Sequence, residues 1–84
     1  MKEFGDVTSE DIERHYKIIL NNIKKYRKER KVTQEMLALA MGFTTATFYT
    51  NAENYKSGKR FNLEHIIKIS IILDVEIENL FKEV

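Results

Sequence analysis

Apolar residues between Ile12 and Tyr26 recur at intervals of three and four, with Ile12, Tyr16, Ile19, Leu20, Ile23 and Tyr26 on a single stripe. Thr8 or Ser9 offers a capping oxygen just ahead of Glu10 and Asp11, and acids suit the positive end of a helix. The pattern predicts a first helix that runs to about Arg30, long for so short a chain. Thr33 caps a second helix with Leu37, Ala38 and Met41 inward, and Gly42 ends it, where a left-handed backbone is open to glycine. Thr44 is read as the cap of a third, with Phe48 and Ala52 inward and Tyr49 outward. From Thr44 to Ala52 this segment carries no charge. A loop, "NYKSGKRF", turns at Gly58, and Asn62 caps a fourth helix, "LEHIIKISIILDV", apolar enough to predict that protein nearly surrounds it. Ile77, Leu80 and Phe81 mark a short closing helix. With no proline, three glycines and little two-residue alternation, the chain reads as all-α, with five helices around one core.

Composition narrows the class. Eighty-four residues, 43% of them hydrophobic, predict one domain over 1–84, with 1–8 flexible and the paired short helices at 33–53. No cysteine is present, so disulfide and thiolate zinc chemistry are excluded and a cytoplasmic address is expected. No apolar run reaches signal-peptide or membrane-span length, so no membrane partner is expected. The net charge is +1, yet "KKYRKERK" (24–31) holds six basic residues to one acid and "KSGKR" (56–60) three to none. Acids gather instead at 3–13 and 76–83, so a positive face is compatible with near-neutrality. His15 and His65 lack carboxylates at metal-ligand spacing, and no phosphate loop, metalloprotease helix or nucleophile elbow occurs. No enzyme activity, metal or cofactor is expected.

Two short helices joined by a tight glycine turn form a helix-turn-helix signature, and a small second helix of this kind fits a major groove about 12 Å wide. With "YRKERKVTQEMLALAMGF", "GKRFNLEHIIKIS" and "LDVEIENLF" in this order, residues 23–81 resemble the phage-repressor-like (Xre/lambda-repressor-like) helix-turn-helix family. The resemblance implies a five-helix bundle with an extended first helix, and DNA as the ligand. The family usually places an aliphatic residue and a glutamate nine and ten residues after the turn glycine. Asn51 and Ala52 stand there instead, with Glu53 one residue late, which suggests an extra residue near 49–54. Residues 1–22 extend beyond the family core, and their stripe either packs over the last helix or joins two protomers.

Carried onto this chain, the resemblance implies that helix 44–53 enters the major groove. Gln34, Thr44, Thr45, Ala46, Thr47, Tyr49 and Thr50 would then be the DNA-facing residues, with Gln34 also bracing the reading helix. Lys31, Thr33, Lys56, Lys59 and Arg60 would meet phosphates. Threonine and alanine can touch thymine methyls but lack the bidentate pairings, so a modest or shape-dependent preference is expected. The leading expectation is a sequence-preferring, double-stranded-DNA-binding transcriptional regulator, repressor-like and homodimeric, with room for a regulatory protein partner. The alternatives are a protein-interaction module or antitoxin-like partner using Phe43, Tyr49 and Tyr55, and a non-specific nucleoid-type binder.

Overall fold

The computed structural model describes residues 3–83. These contain five helices and no strand: α1 (Ser9–Glu29), α2 (Gln34–Ala40), α3 (Thr47–Glu53), α4 (Leu63–Leu73) and α5 (Ile77–Phe81). The looseness expected of residues 1–8 falls outside the described residues at Met1 and Lys2.

Local chemistry sets the helix starts. The Thr8 hydroxyl accepts from the Asp11 N–H at 3.1 Å while the Asp11 carboxylate accepts from the Thr8 N–H at 3.0 Å, a reciprocal capping box. Thr33 accepts from the Met36 N–H at 3.0 Å. At α4 the Asn62 side chain accepts from the His65 N–H at 2.8 Å, and His65 Nδ1 accepts from the Asn62 N–H at 3.0 Å, so a histidine fills the place more often held by glutamate or glutamine. α3 departs from its predicted start. Its N-cap is Ala46 and makes no side-chain cap bond, while Thr44 and Thr45 lie in the bend before it.

The helix ends share one device. After α2 the Gly42 N–H donates to the Leu39 carbonyl and the Phe43 N–H to that of Ala38, both at 3.0 Å, with Gly42 at φ +101°. The same paired bonds close α1, α3 and α4, where the left-handed residue is Lys31 (φ +58°), Tyr55 (φ +57°) and Asp74 (φ +55°). Side chains other than glycine disfavour that conformation by about 1–2 kcal/mol, least for aspartate. Each is held by the paired bonds.

α1 supplies Leu20 and Ile23 to the core, where they meet Leu37, Tyr49, Ile69, Leu73 and Leu80. Its middle is tied to α5: the Asn22 amide donates to the carbonyls of Leu80 (3.0 Å) and Lys82 (2.7 Å). Much of the stripe therefore packs within one chain, although Val7 and Ile12 stay exposed. α4 is not enclosed as its composition predicted. Ile66, Ile69 and Leu73 are buried, but Leu63 (66% exposed), Ile67 and Ile71 (71%) form an open ridge at spacings of four, with Ile72 also exposed. The other described helices cover only the Ile66, Ile69 and Leu73 side of α4.

Candidate nucleic-acid interface

α3 is held from behind by a buried polar network. Glu53, 2% exposed, receives Arg27 Nε and Nη2 at 2.9 and 3.0 Å, the Tyr49 hydroxyl at 2.6 Å and the Gln34 amide at 3.0 Å. Arg27 Nη1 donates to the Val32 carbonyl at 2.9 Å. Burial by itself would push the Glu53 carboxyl up, but the bonds from Arg27, Tyr49 and Gln34 outweigh it and hold it below the usual carboxylate range. For Arg27, burial pulls the other way and the carboxylate again wins, so its pKa is raised. Burial, then the bond to Glu53, lifts the Tyr49 phenol well above its ordinary range and keeps it a donor. No buried side-chain nitrogen or oxygen lacks a partner among the described residues.

This network corrects the expected outward Tyr49 and qualifies the expected inward Phe48, which does pack against the core. Tyr49 was placed outward among the DNA-facing residues, yet it is fully buried, four residues before Glu53 and packed on the Phe61 ring at 5.2 Å. Phe48, expected inside, is half-buried against Phe43, Phe61 and His65. The reason is register. Ala52 and Glu53 are the buried pair at the end of α3, and Tyr49, one turn before Glu53, is turned inward with them.

With Tyr49, Ala52 and Glu53 inward, a helical period of 3.6 puts Thr47, Thr50, Asn51 and Asn54 together on the opposite side. Thr44, Thr45 and Thr47 are exposed, and Ala46 and Thr50 are half-buried. The Thr50 hydroxyl donates to Gln34 Oε1 at 3.3 Å, so both functional atoms of the Gln34 amide are engaged in bracing α3. Asn51 and Asn54 were absent from the predicted DNA-facing set. The signal that could have found them was Glu53 itself, read as the family's helix-end acid displaced by one position.

The cations lie at helix ends. The Arg27–Glu53 bond draws the end of α1, with Lys31 two residues beyond it, next to the end of α3, with Lys56 three residues beyond. Ser57 (φ +57°) and Gly58 (φ +66°) with the 3.0 Å bond from the Lys59 N–H to the Lys56 carbonyl make a type I′ turn. That turn brings the backbones of Lys56 and Lys59 together, and both side chains are exposed. Lys31 and Thr33 are exposed as well. Arg60 differs: its guanidinium lies 3.4 Å from the centre of the Tyr55 ring and 5.9 Å from that of Tyr16, and its Nη1 donates to the Lys59 carbonyl at 2.6 Å. His15 is exposed beside Arg14, and His65 serves as a helix cap. No cluster of potential metal ligands occurs among the described residues, and no helix there is long and apolar enough to cross a membrane.

Two short helices at a glycine turn, the second pinned from behind and presenting hydroxyls and amides beside cations, define a helix-turn-helix protein. The family model described as "Helix-turn-helix" matches residues 23–80, and the chain belongs to that phage-repressor-like family. It is therefore a DNA-binding helix-turn-helix regulator of a family that is not enzymatic. No curated protein and no solved structure matches the chain.

Proposed function

We propose that this protein is a sequence-preferring, repressor-like regulator that acts as a homodimer in the cytoplasm. α3 would enter the major groove with Thr44, Thr45, Thr47, Thr50 and Asn51 toward the bases, while Lys31, Thr33, Lys56 and Lys59 hold phosphates. Repression would follow from occupying a site that polymerase needs. The observation that carries this reading is the two-sided chemistry of α3: a charged network locks one side, and the other shows uncharged donors and acceptors between lysines.

Selection from randomised duplexes at fixed moderate salt tests it. Enrichment of a palindrome, with half-sites about 34–36 Å apart, supports a dimer reading sequence. Recovery of random sequence with a steep salt dependence would leave a non-specific binder instead.

The α4 ridge of Leu63, Ile67 and Ile71 favours association with a second chain. Ile71→Lys is expected to shift the sedimenting species to monomer and to weaken binding to the palindrome more than to one half-site. An unchanged dimer would move the contact elsewhere. The interaction-module reading loses an anchor, because Tyr49 is inside the protein.

A further inference from the structure

We infer that Asn51 sets specificity on the reading helix and that the base it selects is adenine, an assignment that rests on the function proposed above. Asn51 is the fifth of the seven residues of α3, half-buried, and its side-chain amide forms no hydrogen bond among the described residues. Thr47 lies one turn before it on the same side and Thr50 next to it, so the amide sits within the polar stripe. Behind it, Tyr49, Ala52 and Glu53 are buried, and the bonds to Arg27 and Gln34 fix the rotation of α3 about its axis. The direction of the Asn51 Cβ is thus set before any ligand arrives, which reduces the ordering that binding requires.

A primary amide carries one acceptor and a two-hydrogen donor side by side. In the major groove adenine offers the matching pair, an N6 donor and an N7 acceptor. Guanine offers two acceptors, O6 and N7, and would face the amide oxygen with a like partner. Thymine and cytosine each present a single polar group there, so neither completes both bonds. The threonine hydroxyls on the stripe cannot make this two-point match. Asn54 is less suited: it is the C-cap, and the chain leaves the helix axis at Tyr55.

The test compares duplex selection by the wild-type protein and by Asn51→Ala, with melting curves to verify that both fold. The wild-type pool is expected to fix an A·T pair in each half-site, and Asn51→Ala to lose preference at that pair while keeping the rest of the motif. In the selected site, 7-deazaadenine at this position removes the N7 acceptor. It should weaken wild-type binding by roughly 2- to 12-fold, the share of one bond in a bidentate pair, and leave Asn51→Ala binding unchanged. A motif identical for both proteins, or preference lost at a G·C pair, overturns the assignment with the DNA-reading function intact. A wild-type pool without any enriched sequence overturns that function itself, and the assignment with it.

Discussion

Replacing Arg27 with methionine would test the network that positions α3. The change removes two charged bonds to Glu53, at 2.9 and 3.0 Å, and a third to the Val32 carbonyl at 2.9 Å. It leaves a carboxylate that is 2% exposed without its counter-charge. Removing one partner of a buried pair destabilises by about 3–5 kcal/mol. Total stability for a chain of this length is on the order of 4–13 kcal/mol, so the single change removes much of it. At about 4–8 °C per kcal/mol, the expected fall in Tm is roughly 12–40 °C. Removing the charges together is different, because apolar replacement of a buried pair is often neutral or better. Tyr49 would then lose its acceptor, so the informative variant is Arg27→Met with Tyr49→Phe and Glu53→Leu, while half-buried Gln34 can turn to water. Circular dichroism melts and urea titrations of the single and triple variants measure the difference. The triple variant should recover most of the lost stability. The pH dependence adds a check: Glu53 sits below its usual value of 4.5, so its contribution is complete above that value and is lost as pH falls through the lower folded-state value. Arg27→Met should abolish that acid-side loss. A single variant within about 1 kcal/mol of the parent, or a triple variant no more stable than the single, would refute the reasoning.

Three cationic phosphate contacts, by Lys31, Lys56 and Lys59, would give a log K against log salt slope of roughly −2.7, and Lys59→Glu should reduce its magnitude by about 1 while weakening all duplexes alike. A slope near zero in the wild-type protein would exclude a phosphate clamp. His65 is lowered from its usual range by burial first and by Lys68 second, against a raising effect of Glu64. Its Nδ1 must stay unprotonated to accept from Asn62, so its stabilisation is present above about pH 6.5 and is lost as pH falls through its lower folded-state value. His65→Gln keeps a capping acceptor, and urea titrations from pH 7.5 to 5 should show this component gone; an unchanged pH profile would count against it. Asp74→Gly relieves a left-handed residue at φ +55° and is expected to raise stability by about 1 kcal/mol in thermal melts.

The parts of the fold that were legible in the sequence are those written in local chemistry. The Thr33 and Asn62 caps, the Gly42 stop and the α1 stripe each depend on residues within a turn or two of one another. What was missed depends on partners far along the chain. Whether Tyr49 or Phe48 faces inward is decided by Glu53 pairing with Arg27, 26 residues earlier. With one residue more or less in the bend, every side chain of α3 turns by about 100°. The α4 ridge was misread for another reason: apolar content reports an affinity for contact, not whether one chain or two provide it.

The left-handed helix ends separate stability from function in this protein. Glycine would relax all three positions where another residue stands, yet two of them carry side chains with something to do. Lys31 sets a cation at the end of α1, and Tyr55 provides the ring on which Arg60 lies at 3.4 Å. Asp74 makes no side-chain hydrogen bond or ion pair among the described residues and lies at the start of the turn into α5. Strain at Lys31 and Tyr55 therefore falls where the interface is proposed, as strained backbone at functional sites often does. Lys31→Gly should raise the melting temperature and weaken DNA binding together, whereas Asp74→Gly should raise it with binding unchanged. If both variants bind DNA as the parent does, the strain at Lys31 serves no contact and the phosphate role falls to the Lys56–Lys59 turn alone.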